Sequence, residues 1–366
     1  MKRNMIYTSF AEPLNSIINL IIQTKFLGSM SVGKIHPETL AKYVLSRIGV
    51  QDPKVIVGPS VGEDAAIIDL NGHVLVVHSD PITEASERIG WLAIHVVCND
   101  IAVRGAKPKW VLPVIFLPEG CEEKLLDEIT LQIDAAAKEV GVMVVGGHTE
   151  RTPKLKRPLI SMTAIGLTKK EKYITTKGAK VGDLVLMTKG AGIEGTYIIS
   201  TDFKDNLIER GVNENTIDKA SKYILEISVV KEALALAEIG VSSMHDPTEG
   251  GLIGGLAEIS QASKVGIEIW EEKVIIRRET QEICSSLGVD PLKLMGSGSL
   301  IASFKPEKEK EIKSKLDALK IPYSIIGEVI EGNEVIVHRK DGTVERISGF
   351  VIDEIARLWE RLKLRF

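Results

Sequence analysis

Apolar and polar residues alternate with a period of two over several short stretches of this chain, and with a helical period over the stretches between them. KVIVGPS (54–60) reads as a strand that leads through a glycine-containing loop into a second, GEDAAIIDL (62–70). Asn71-Gly72 then predicts a hairpin turn into HVLVVHSD (73–80), because both central residues of such a turn need positive φ. A helix follows over 89–106, a strand over 109–118, a helix over 123–140, and strands VMVVGGHTE (142–150) and PLISMTAIGL (158–167).

The polar segment KKEKYITTKGAKVGD (169–183) marks a boundary. Beyond it, DLVLMTKGAGIEG (183–195) reads as a strand running into a glycine-rich loop, with helical stretches around 215–238. MHDPTEGG (244–251) is a turn that opens a helix over 252–263. The final portion predicts a strand over 296–304, a helix over 306–319, strands over 323–330 and 334–340, and an amphipathic helix over 351–364. Near the start, LNSIINLIIQTKFL (14–27) predicts a short amphipathic helix. HPETLAKYVLSRIGV (36–50) predicts another, with Pro37 in its first turn and Leu40, Tyr43, Val44 and Ile48 on one face. The fold class is mixed α/β (α+β): an N-terminal extension over 1–29 and two domains, 30–167 and 168–366.

Composition narrows the function. The 366 residues carry a net charge of −4 and 5% aromatics, which excludes a broad basic face and a base-stacking surface, so no nucleic-acid partner is expected. Three isolated cysteines without a CxxC pair exclude a disulfide framework and a thiolate zinc site, which fits a reducing compartment. No run of 18 apolar residues suits a transmembrane helix, and the N-terminal apolar stretch lacks a cleavage site. The expectation is a cytoplasmic protein that does not enter a membrane.

The candidate chemistry lies in carboxylates at strand ends. Asp64 follows the glycine turn of VGEDAA, Asp80 ends HVLVVHSD, and Glu150 follows VMVVGGHT. Asp100 shares a helix face with Ala93 and Val96, and Asp246 stands in the turn before a helix. An unpaired buried carboxylate costs several kcal/mol, so an acid on an apolar stripe is paired, hydrogen-bonded or coordinating. Acids that gather without a compensating Lys or Arg, with no Cys and few His beside them, suit magnesium bridged to phosphate oxygens. Gly58, Gly62, Gly146, Gly147, Gly190 and Gly192 would let backbone amides approach those phosphates. Plainer readings stand beside these. D-P-T-E at 246–249 has the form of a capping box, Asp64 could be a turn acid, Asp80 a strand terminator, and His148 a hydrogen-bonded turn histidine. A Walker-A loop and HExxH are both missing.

In order along the chain, GEDAA (62–66), HSDP (78–81), NDIAVRGAKP (99–108), VVGGHTE (144–150) and HDPTEGGL (245–252) resemble the aminoimidazole ribonucleotide (AIR) synthetase superfamily, the PurM-like proteins, over residues 35–340. The resemblance implies a two-domain PurM-like fold whose N-terminal sheet pairs across a homodimer. It also implies an ATP site between the domains. By similarity, Asp64, Asp80, Asp100 and Asp246 would hold Mg2+ around the phosphates. Gly58, Gly62, Glu63, Asp64, Asn99, Gly146, Gly147 and Thr149 would contact the nucleotide, and His148 and Glu150 would act on the acceptor. Superfamily members transfer the γ-phosphate to an oxygen or selenium atom, in several cases to an amide or carbamoyl oxygen.

Among the branches, the GGHTE and HDPTEGGL segments most resemble the HypE-like, AIR synthase-related proteins. HypE carries its carbamoyl group on a C-terminal cysteine, whereas this chain ends KLRF with its last cysteine at Cys284. The selenophosphate synthetases use Cys or selenocysteine with Lys in a loop that here reads VIVGPSVGED, and thiamine-monophosphate kinases have GDD and GGDT where this chain has GED and GGHT. The expectation is ATP- and magnesium-dependent activation of a small molecule or a carbamoyl or amide acceptor, with a maturation protein as a potential partner. A small-metabolite kinase and a non-catalytic nucleotide-binding scaffold are the alternatives.

Overall fold

Burial alternates along the first half of His73–Ile82, a strand with Val74, Val76 and Ile82 buried on one face, and the same two-residue period recurs in the strands beside it. The computed structural model describes residues 34–362 except Glu84 and Ser86, so the helix expected over 14–27 lies outside the described residues. The first sheet contains β1 (Val55–Val57), β2 (Ala66–Asp69), β3 (His73–Ile82), β4 (Lys107–Pro118), β5 (Met143–Val144), β6 (His148–Thr152) and β7 (Leu159–Lys169). Its order is β1-β2-β3-β7-β4-β5, with β6 also on β4. Asn71 (φ 58°) and Gly72 (φ 102°) make the predicted β2–β3 turn.

The second sheet runs β14-β13-β10-β12-β8-β11-β9. Its strands are β8 (Leu184–Thr188), β9 (Ser243–His245), β10 (Gly266–Trp270), β11 (Ile301–Phe304), β12 (Tyr323–Ile330), β13 (Val335–His338) and β14 (Val344–Ile347). The hydrophobic pattern does not predict β10 or β14. β10 is five residues long and is ordered by β12 and β13, which lie far along the chain; β14 alternates polar residues as an edge strand. Residues 193–202 also form a helix where the sequence suggests only a glycine-rich loop.

Helix α1 (Pro37–Leu40) starts at the expected proline and continues as a π-helical turn, but Tyr43, Val44 and Ile48 are exposed in this chain. Helices α2 (Ile89–Val103) and α3 (Glu123–Val140) cover one face of the first sheet. The close approach of α2 to β7 requires glycine at 166, where a Cβ would meet Ile101 Cγ2 at 2.2 Å. The opposite face of the sheet stays partly open and carries Leu75, Val77, Trp110, Leu112, Val114, Phe116, Ile165 and Leu167.

A single apolar cluster extends from Val57 to Leu358 through both halves of the chain, and α2 runs through its middle. Every residue of α2 except Trp91 is buried, so this helix has no solvent face and the expected apolar stripe becomes an apolar cylinder. Polar residues within it therefore need internal partners. Asn99 is one: its Nδ2 donates to Ile227 O at 2.9 Å, and its Oδ1 accepts from Val229 N at 2.8 Å. Both ends of the amide are engaged with residues 227–229 of the second half, so Asn99 ties α2 to that half. Cys98 and Cys284 are buried and free. Among the described residues no helix is long and apolar enough to cross a membrane.

Asn99→Ala strands a buried carbonyl and a buried N–H, so urea denaturation should show a loss of about 2–4 kcal/mol. An unchanged midpoint would contradict the clamp.

Candidate functional site

Four segments converge where α2 ends. The loop before β2 brings Glu63 and Asp64, β3 brings His78 and Asp80, α2 brings Asp100 and Arg104, and the end of β9 brings His245 and Asp246. Gly62 (φ 79°) turns the loop against Glu258, whose Cβ and carbonyl would lie 3.4 Å from an added Cβ. Residues 78 and 80 are two apart on one strand, so both face the helix layer together with Val76 and Ile82. Asp64 with His245 and Asp246, and His78 with Asp80 and Asp100, each place one ligand atom per residue within 4.8 Å of the others.

Arg104 organises the site and has no exposed surface. Nη1 donates to Glu63 Oε2 and Thr176 Oγ1, each at 2.9 Å; Nη2 donates to Asp64 Oδ2 at 2.7 Å and to the Met244 carbonyl. The other oxygen of Asp64 is 2.8 Å from His245 Nδ1, and His245 Nε2 is 2.5 Å from Glu258 Oε2. Burial would raise the pKa of Asp64, but the fields of His245 and Arg104 outweigh it and hold Asp64 below the usual carboxylate range. Burial would lower His245, yet Asp64 and Glu258 raise it to about 10, so it is an imidazolium at neutral pH.

This overturns the expectation that the acids gather without a compensating cation. Arg104 stands one turn after Asp100 on the same helix, a spacing legible in NDIAVRGAKP. The arginine serves Glu63 and Asp64, so Asp64 is an anchored ion with both oxygens engaged.

Asp100 and Asp246 differ. Asp246 is fully buried and neither of its carboxylate oxygens has a hydrogen-bond partner; Asp100 Oδ2 also has none. Burial first, then the fields of Asp246, Asp80 and Asp64, push Asp100 well above the ordinary carboxylate range. Asp246 is raised likewise by burial and by Asp64. The capping-box reading of Asp246 does not hold, because the next helix starts at Gly251 with Gly250 (φ 81°) as its N-cap.

His148, Thr149 and Glu150 lie elsewhere. Asp80 pairs across the sheet with Met162 and then Pro113, whereas His148 pairs with Val114 and Glu150 with Phe116. Adjacent strand residues face opposite ways, so His148 and Glu150 sit on the open face and Asp80 on the helix-covered face. Three strand spacings, about 14 Å, add to the separation. His148 Nε2 and Glu150 Oε2 pair with each other at 3.1 Å in an exposed edge strand. Within a single chain this pair therefore does not join the acid group. Gly147 serves a backbone contact: a Cβ there would meet Pro113 O at 2.2 Å. Gly146 precedes it, and Gly58 has no positive φ and only an ordinary contact at 3.5 Å.

Sequence reasoning missed His78, Arg104, His245 and Glu258. His78 and His245 stood inside the quoted motifs, one two residues before Asp80 and the other directly before Asp246.

Two family models match the chain: AIR synthase related protein, N-terminal domain, over residues 62–168, and AIR synthase related protein, C-terminal domain, over 180–340. The chain is 31% identical to the carbamoyl dehydratase HypE of Bradyrhizobium diazoefficiens, over 67% of this chain and 71% of that protein. A HypE–HypF complex structure has 25% identity and a TM-score of 0.69 over 85% of this chain and 99% of that one. HypE in complex with ATP has 24% identity and a TM-score of 0.64 over 89% and 98%.

Replacing Arg104 with Met leaves Asp64 and Glu63 buried beside no guanidinium, and the loss in unfolding free energy should be about 3–5 kcal/mol. Adding Asp64→Asn should recover part of it. Strict additivity of the two changes in a double-mutant cycle would show that the residues do not interact.

Proposed function

Because the chain belongs to the AIR synthase-related family, we propose that it is an ATP- and magnesium-dependent enzyme that transfers a phosphoryl group to a small-molecule acceptor of the carbamoyl or amide type. The observation that carries this reading is the unpartnered buried carboxylate oxygens of Asp100 and Asp246, beside Asp80. Such oxygens suit a hard cation, and the donor set fits magnesium bound through a few carboxylates together with phosphate oxygens. In this reading residues 30–167 and 168–366 are the two domains.

Asp80, Asp100 and Asp246 would hold the cation. When bound, it neutralises charge on the phosphate oxygens and aligns them for in-line transfer. Arg104 and His245 hold Asp64 by both oxygens, which keeps the loop through Gly62 against Glu258 and fixes the backbone that presents Asp246. Because Arg104 and His245 are spent on Asp64, Glu63 and Glu258, they do not neutralise Asp246 or Asp100 by direct pairing. Carbamoyl dehydratase chemistry in the HypE relative supports an amide-type acceptor, and the HypE–HypF complex supports a maturation protein as partner. The half-open apolar face around Trp110, Leu112, Val114 and Phe116 suits pairing with a second copy.

Calorimetric titration of ATP should give binding that requires magnesium and weakens at least tenfold in Asp80→Asn, whose far-UV spectrum stays native. Equal binding with and without magnesium, or in the variant, would count against the cation assignment. Sedimentation should show a dimer that Val114→Glu with Phe116→Glu converts to monomer; a monomeric native protein would remove the second copy from this reading.

A further inference from the structure

One of the two ligand groups is not an all-oxygen set. His78 Nε2 lies 3.5 Å from Asp100 Oδ2, and Asp80 shares their cluster within 4.8 Å. An N–H donor bonded to a carboxylate would sit about 2.7–3.2 Å away. Two ligands bound side by side on one ion at about 2.1 Å each lie roughly 3 Å apart or more. The His78–Asp100 spacing therefore suits shared coordination better than a direct hydrogen bond. The side chain of Asp100 is 8% exposed and its Oδ2 has no hydrogen-bond partner, so a buried acceptor is aimed into the group. His78 and Asp80 are held on one face of β3 by their register with Ala164 and Met162, and Asp100 is held by a helix buried on nearly all sides. The three donors come from rigid elements, as a selective site requires.

Ligand softness then decides the ion. Carboxylates alone suit magnesium and calcium, whereas an imidazole moves preference toward the transition series, where affinity rises from Mn2+ toward Cu2+. We propose that His78, Asp80 and Asp100 form a mixed nitrogen–oxygen site that takes a divalent first-row transition cation in preference to Mg2+, with Mn2+, the weakest binder of that series, as the conservative probe. The proposal rests on the cation-dependent reading above and assigns the imidazole of His78 as the group that sets metal choice. His245 does not compete for that role, because its two nitrogens face Asp64 and Glu258.

The test uses the full chain and MnCl2, with electron spin-echo spectroscopy of the bound ion and competition against MgCl2. Modulation from one directly bound 14N is expected in the native protein. It should vanish in His78→Gln, and the Mn2+ over Mg2+ preference should fall about 10- to 100-fold. His78→Asp is the second variant: it restores an oxygen donor, and should bind Mn2+ without nitrogen modulation and discriminate weakly against Mg2+. Mn2+ binding without nitrogen coupling, or coupling that persists in His78→Gln, overturns the assignment of His78 and leaves the magnesium–ATP reading intact. Binding of neither cation, with or without ATP, overturns both.

Discussion

A guanidinium with no contact to water sits where the two halves of this protein meet. Taking such a charge out of solvent costs several kcal/mol unless its hydrogen-bonding groups are met by anions or strong acceptors. The two terminal nitrogens of Arg104 meet that requirement with Glu63, Asp64, the Thr176 hydroxyl and the Met244 carbonyl, while Nε has no partner. The four partners come from three pieces of chain: the loop before β2, the segment entering the second half, and the strand that leads into Asp246. The interaction that makes burial tolerable also ties these pieces together, and the loop and strand carrying the acids take their positions from it.

The second constraint is the all-round burial of α2. A helix without a wet side leaves its polar residues to find internal partners, and three residues at its C-terminal end do so. Asn99 joins the halves, Asp100 faces the acid group, and Arg104 closes the loop. Stability and chemistry thus share one element, and the carboxylates sit in surroundings that disfavour their charge. A bound cation relieves that penalty. The exposed pair His148–Glu150 has none of these properties: both groups are hydrated and each satisfies the other.

Local chemistry explains which site residues could be read in advance. Asp100 was legible because an apolar surround offers a charge no reason to be there, and Asp80 because it ends an alternating strand. Asp64 was found without its partners. Its role depends on a partner 40 residues away whose direction is set by the end of a helix. His148 and Glu150 shared a motif with two glycines, yet strand alternation turned both away from Asp80, and no spacing rule within VVGGHTE contains that fact. His78 was passed over although its two-residue offset from Asp80 puts both on one face.

By itself, the sequence determined most of the element types, the Asn71-Gly72 hairpin, the mixed α/β class and the order of the acidic motifs, because turn chemistry and periodicity act over a few residues. It also carried the family membership, since five motifs in order constrain a chain more than any one of them. Tertiary structure alone decided which carboxylates are neutralised and which are left facing one another. Coulomb energies in a low-dielectric interior depend on distances of a few ångströms between segments that the chain separates by scores of residues. Arg104 against Asp64, and His78 against Asp100, exist only after the sheet, the helix and the second half have packed.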